Sequence, residues 1–376
     1  MKPTEIIHDS LRLIKKVTGS RLKRTKCYPN GRRIEGLKLS ESGQEDLPVG
    51  LTGGDQDIWR HTWPAVSLYN LENVYCTGDQ GLIFLDQEHL FAVCSSLNRL
   101  PDRKVRLPVT SRAVLIEDPV FHLSGFSPEN HGHYFFHHLP RVLAARKLLQ
   151  DRPSIKILCA RGHMRWQSRY LAKFGISPDR LIETSIRTLK FKELYYVPIT
   201  SGTFKLGVPA HYRAMQRAFT GEAVLEKKGY PLWISRMDAP DKKLRNEKDL
   251  IGCVADLFGG VRVIELSKYS MEQQTRLFAE ARFIFGPLGQ GVANILYSRE
   301  SVLIILAAGS EGKPVGASLM TGAAGAIVGN RALCLNSGTT YQGKRREWIY
   351  PIEKFQSELR TLVEQVKKIS GGIESF

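Results

Sequence analysis

Between residues 231 and 306 short apolar runs and amphipathic runs take turns, and this alternation constrains the fold more than any other feature of the chain. Strands are predicted at 232–235, 261–266, 282–285 and 302–306, with helices at 247–258 and 271–281 between them. Near-continuous apolar strands are buried on both faces, and a helix between successive strands returns the chain to the same edge, so the sheet is parallel and doubly wound. Such sheets take their ligands at the carboxyl ends of the strands.

The earlier half is less regular. Ile7, Leu11 and Ile14 fall at helical spacing over 4–18, and that run enters a basic cluster of Lys15, Lys16, Arg21, Lys23, Arg24 and Lys26. A basic amphipathic helix suits an anionic membrane surface, and a packed helix with a solvated face accounts for the pattern equally well. Residues 28–62 are polar and glycine-rich and read as irregular linking structure. Two apolar runs within 74–94 flank "DQEH" as a hairpin, followed by strands at 113–116, 155–159 and 194–197 and helices at 134–149, 164–174 and 210–228. Strands covered by helices make this half an α/β lobe. Ile352, Phe355, Leu359, Leu362, Val363, Val366 and Ile369 keep three- and four-residue spacing, an amphipathic closing helix. The expected division is a lobe over 1–225, a second over 226–345 and the closing helix over 346–376.

A net charge of +17 gives the protein a field that attracts polyanions: nucleic acid, an acidic membrane or phosphorylated substrates. No run of 18 apolar residues is present, and the start lacks the apolar core of a secretory signal, so a cytoplasmic location is expected. Six scattered cysteines without a CxxC pair read as reduced, buried thiols.

Three stretches carry candidate chemistry. In "FIFGPLGQGVANILYS" a buried strand runs through Gly286, Gly289, Gln290 and Gly291 into a helix containing Asn294. Glycines let the backbone turn and approach a ligand, and the helix start offers free N–H groups to an anion, although a plain tight turn reads the same way. The order is not GxGxxG, which argues against a nicotinamide enzyme. In "WISRMDAPDKKLRNEKDL" Arg236 follows a strand, and Arg245 and Asn246, a helix N-cap, come ten residues later. Two arginines meeting at the glycine edge would clamp a diphosphate; singly, each is more often a surface residue. "NHGHYFFHHLPR" carries His131, His133, His137 and His138, with His133 and His137 one helical turn apart. An imidazole titrating near neutrality suits a general base, whereas a zinc site lacks HExxH and a nearby cysteine, and some of the four are expected to be structural.

In combination these stretches resemble the glycosyltransferase family 61 proteins. Asn130, Gly132, His133, Tyr134, Leu139, Pro140 and Arg141 match one motif, and Ser235, Arg236, Arg245, Asn246 and Glu247 the next two. Leu266, Ser267, Glu272 and Gln273 fit loosely, and Gly286, Gly289, Gly291, Asn294 and Tyr297 match the last. The family usually has an acidic residue at His137, a histidine at Leu288 and an alanine at Gln290.

The resemblance implies an α/β, GT-B-like architecture, two Rossmann-like lobes facing a central cleft, and a metal-independent inverting transfer. It implies His133 as base, with His137 in place of the lost carboxylate. The donor is a nucleotide-sugar, taken as UDP-linked, on Arg236, Arg245, Asn246, Gly286, Gly289, Gln290, Gly291 and Asn294. Asn130, His131, His138 and Arg141 are assigned to the acceptor side or cleft. The expected acceptor is a surface polysaccharide or glycolipid, with no cofactor and no nucleic acid. The protein would work peripherally at the inner membrane face. A basic nucleic-acid binder, resting on the charge alone, and a zinc hydrolase built on the histidines are the alternatives.

Overall fold

A computed structural model describes residues 23–25, 33, 35–50, 58–77, 81–86, 89–91, 108–125, 127, 129–162, 164–184, 187–198, 206–221, 229–309 and 316–369. The expected helix over 4–18 and most of its basic cluster lie outside them.

The chain begins with β1 (Lys23–Thr25), β2 (Gly36–Ser40), β3 (Gly43–Gly50), β4 (Ile58–Trp63) and β5 (Val66–Thr77). Then come β6 (Leu82–Phe84), β7 (His89–Phe91), β8 (Val114–Ile116), β9 (Val120–His122), β10 (Lys156–Cys159), β11 (Leu181–Glu183) and β12 (Leu189–Tyr196). The later strands are β13 (Pro231–Ile234), β14 (Arg262–Ile264), β15 (Phe283–Pro287), β16 (Val302–Ala307) and β17 (Arg331–Asn336).

The second half folds as the alternation predicts. β13 to β17 pair in parallel in the order β14-β13-β15-β16-β17. Counting from β13, that order is 2-1-3-4-5, whose topological switch point lies between β13 and β15. Every residue of β13 and β15 is buried, because both faces are covered. Trp233, Phe283, Phe285, Ile304 and Leu306 pack against Leu250 and Val254 and against Phe355, Leu359 and Leu362 of the closing helix (Ile352–Ile369). Burying each such side chain contributes roughly 2 kcal/mol, so docking sustains that helix more than its propensity does. On the other face Leu232, Ile234, Ile284, Leu303 and Ile305 meet Leu277, Phe278, Ile295, Leu296 and Met320.

The first sheet is mixed, which corrects the expectation of two Rossmann-like lobes. Its order is β1-β7-β6-β5-β12-β9-β10-β11, with β2 on β5 and β8 on β12. The β12-β9-β10-β11 side is parallel, as are β8 on β12 and β1 on β7, whereas β12, β2 and β6 all run antiparallel to β5. The hairpin about "DQEH" is present as β6 and β7. Residues 28–62 are not simply linking structure, since they supply β2, β3 and β4. Moreover β3 pairs in parallel with β17, so a hairpin from before residue 225 extends the second sheet.

One continuous core joins the sheets. Phe121, Ile157 and Tyr195 of the first share it with Leu232, Ile284 and Ile305 of the second. The helix Pro209–Thr220 is the strut between them: Arg213 bonds Glu45 and the Ile327 carbonyl, and Gln216 donates to the carbonyls of Ser298 (2.6 Å) and Val328 (3.1 Å). Among the described residues no helix is long and apolar enough to cross a membrane. Cys76, Cys159, Cys253 and Cys334 are free thiols.

Candidate functional site

At the switch point the chain leaves β13 through Arg236 and leaves β15 through Gly289, and these two residues touch. A Cβ built on Gly289 would stand 1.8 Å from Arg236 Nη1, so the guanidinium lies directly on the backbone of the bend. Arg236 is held from both ends. Its main-chain N–H donates to Glu247 (3.0 Å to Oε1), a buried carboxylate that also accepts from the Trp233 indole (2.9 Å). Its Nη2 donates to the Asp241 carbonyl (3.0 Å), while its buried Nε has no partner among the described residues. Burial lowers the guanidinium pKa, and Tyr341, Asp241, Glu247 and Asp238 oppose that shift. It remains a cation.

Beside it lies a pocket of about 110 Å³ lined by Ser235, Arg236, Asp238, Leu266 and Gly291 among others. This is well below the roughly 300 Å³ of the smallest typical ligand sites, and suits a phosphate better than a whole nucleotide. The helix that follows, Gln290–Tyr297, is a 3-10 helix whose first N–H groups face the bend without intrahelical partners. Its glycines are required for contact and not for turning. Gly289 is extended (φ −176°), and a Cβ on Gly291 would meet Leu266 at 2.5 Å.

The remaining donor-side candidates are engaged elsewhere. Arg245 is 59% exposed and stands 4.0 Å from Glu347, and among the described residues no hydrogen bond or ion pair ties it to the bend. Asn246 starts its helix without a side-chain cap. Its amide instead brackets Tyr350, donating to the carbonyl (2.7 Å) and accepting from the N–H (3.1 Å). Asn294 is buried and donates to Gln274 (2.7 Å), pinning the 3-10 helix to the helix Met271–Glu280. These three do not join Arg236 at the pocket.

The histidine segment does reach the bend. Gln290 Oε1 accepts from the His131 N–H at 3.2 Å. Asn130 caps the start of the helix by accepting from the His133 N–H (3.1 Å), which is a structural task. The helix begins as α-helix (His131–His133), widens to a π-helical turn (Tyr134–His138) and resumes over Leu139–Ala144. π-turns are rare and recur at functional sites. The His133 and His137 rings stack at 5.2 Å. Burial lowers both pKa values: His133 is half-buried and partly compensated by Glu129, and His137 falls to about 3, with His133 adding to the shift. Both are therefore neutral at pH 7, and His133 is the more accessible of the two.

His131, His138 and Arg141, assigned to the acceptor side or cleft, make internal contacts that hold the fold together. The His131 ring lies 2.9 Å from the Tyr170 hydroxyl and against Phe135, and burial takes its pKa to about 4. His138 is fully buried, with Nδ1 3.0 Å from the Leu123 carbonyl. Arg141, 2% exposed, donates to the carbonyls of His122, Leu123, Ser124 and Val197 and so ties together the ends of β9 and β12. Among the described residues no three His, Cys, Asp or Glu side chains are gathered as metal ligands, which leaves the zinc-hydrolase alternative without support.

Sequence reading missed the residues that surround Arg236: Asp241, Lys242 and Tyr341. The signal was present in the "DKK" after Arg236 and in "YQGKRREW" at 341–348, two cation-rich loops that the sheet brings together.

Residues 131–305 match the family described as Glycosyltransferase 61. A search of curated proteins returned no match.

Proposed function

We propose that the chain is a glycosyltransferase of the family whose model residues 131–305 match, moving a hexosyl or pentosyl group from a nucleotide-sugar to a surface polysaccharide or glycolipid acceptor. The observation that carries this reading is the Arg236 guanidinium lying on the Gly289 backbone at the switch point. There a cation and free amides meet the small pocket, and together they supply the positive field that a departing diphosphate needs. The transfer is read as metal-independent and inverting. His133 takes the proton of the acceptor hydroxyl, the freed oxygen attacks the anomeric carbon, and the electron pair of the broken bond leaves with the diphosphate towards Arg236. A lowered pKa supports His133 in this role, because a base must be unprotonated at working pH. The His131–Gln290 contact brings its helix beside the donor edge.

The GT-B-like reading finds support in the doubly wound second sheet and departs from it in the antiparallel part of the first. We read the cleft as closed on the side of the histidine helix, where the shared core lies, and open towards the carboxyl edge of the second sheet. The net charge of +17 suits work on an anionic membrane face.

A thermal-shift screen against UDP, GDP, CMP and TDP sugars tests the proposal, since a ligand that binds the folded form raises its melting temperature. At least one class should stabilise the protein, and Arg236→Ala should abolish the shift. No shift with any of them would overturn the reading.

A further inference from the structure

The loop that leaves β13 gathers more positive charge than the surrounding carboxylates pair. Its residues 241–245 are zipped to the strap 341–348. Lys242 N–H donates to the Arg345 carbonyl (2.9 Å), Trp348 N–H to Lys243 (3.0 Å) and Arg245 N–H to Trp348 (2.8 Å). The Asp241 carboxylate is bonded by Arg346 (Nε to Oδ1 3.0 Å), and its carbonyl accepts from Arg236. Lys242 follows directly, half-buried, with its Nζ 5.9 Å above the centre of the Tyr341 ring. Among the described residues no carboxylate or carbonyl lies within hydrogen-bonding distance of that ammonium. Burial and the charges of Arg346 and Arg236 lower its pKa, and Asp241 opposes them from beyond ion-pairing distance.

The backbone adds a second observation. Lys242 adopts φ +58°, the left-handed region that a side chain with a Cβ rarely occupies. Strain of this kind persists where surrounding structure enforces it, and it clusters at ligand sites. A lysine in a strained backbone, repelled by two arginines, is a destabilised arrangement in the absence of an anion. A bound polyphosphate would offset the repulsion among these cations.

We infer that Lys242, held over Tyr341 by the strap 341–348, is the second cation of the diphosphate seat and binds the leaving diphosphate together with Arg236, the task that sequence spacing alone gave to Arg245. This rests on the reading of the β13/β15 edge as the donor site and extends it to the strap 341–348, which lies outside the family match. Lysine suits such a task as a compact point charge with three donors, where Arg236 supplies the planar fork.

The test is calorimetric titration of the full chain with UDP and with inorganic pyrophosphate, for the wild type, Lys242→Gly, Lys242→Gln and Arg245→Gln. Both Lys242 variants should bind pyrophosphate and UDP about tenfold more weakly or worse, the loss of one charge-assisted hydrogen bond. Lys242→Gly should melt at the wild-type temperature or above it, because glycine accepts φ +58° without strain; lost affinity in an equally stable protein excludes misfolding as the cause. Arg245→Gln should bind as the wild type does. Unchanged affinity in the Lys242 variants, or an equal loss in Arg245→Gln, overturns the inference and leaves the sugar-transfer reading standing. A wild type that binds neither ligand removes the diphosphate seat itself, and both readings fall together.

Discussion

A methyl group at residue 289 would have to occupy the position of the Arg236 guanidinium, so Gly289→Ala tests the bend without touching a charge. The displaced arginine would lose its place over the backbone. Nucleoside-diphosphate affinity should fall by one to two orders of magnitude in calorimetry, whereas Arg245→Ala, at an exposed site, should leave it unchanged. The opposite ranking would show that the diphosphate lies along residues 245–247 instead. Arg141 makes the complementary case. A buried cation with no carboxylate partner among the described residues is tolerable only because four carbonyls accept from it, and each left unsatisfied costs about 1–3 kcal/mol. Arg141→Met should therefore destabilise the fold by roughly 3 kcal/mol or more in urea denaturation, with donor affinity retained in the folded fraction. A stable protein that has lost acceptor recognition would return Arg141 to the site. Spacing made Arg236 legible, because it follows a strand at a switch-point edge. Nothing in spacing could show that Asn246, Asn294 and Arg141 bond to chain segments far away, since those partners exist only after folding.

Elements were legible where local signals agreed with tertiary demand. The helix over Glu247–Phe258 starts at an acidic first turn and ends at Gly259 in the left-handed conformation, so its sequence bounds coincide with the observed ones. The helix Met271–Glu280, expected over 271–281, has a full capping box, Ser270 with Gln273, which fixes its start. By contrast β3 and β4 carry polar, glycine-containing sequence, and what makes them strands is their pairing with each other and with β17, which no local pattern announces. Glu247 links two elements, since one carboxylate accepts from the Trp233 indole in β13 and from the N–H of Arg236. Glu247→Gln puts an amide N–H2 where a second acceptor stood. It should cost roughly 1–3 kcal/mol in denaturant midpoint and weaken diphosphate binding by loosening the Arg236 loop. Loss of stability with unchanged affinity would show that the loop keeps its shape without the carboxylate.

At the scale of the whole molecule two consequences follow from what is buried. His122 and His137 are held neutral, with folded pKa values of about 3, His122 through burial and the nearby Arg141 charge, and His137 through burial and His133. In the unfolded chain they titrate near 6.5, so below that pH the unfolded state binds more protons and stability falls. The slope is at most about 1.4 kcal/mol per pH unit for each histidine. Urea midpoints should decline from pH 7 to pH 4.5, above the range in which most carboxylates titrate; equal midpoints would show that these histidines take up protons in the folded state. The second consequence concerns cooperativity. Two lobes joined by a linker would unfold in two steps, but here the histidine helix, the strut helix Pro209–Thr220 and the β3–β4 hairpin all carry early sequence into contact with the second sheet through one core. Opening either half would expose the other's apolar face, so neither is a stable unit by itself. Calorimetry should give one transition whose van't Hoff and calorimetric enthalpies agree, with the histidine-segment variant Phe135→Ala lowering it as a whole. Two resolved transitions, or a Phe135→Ala effect confined to the first, would mean that the halves are coupled only loosely and that closure of a cleft between them is available to the catalytic cycle.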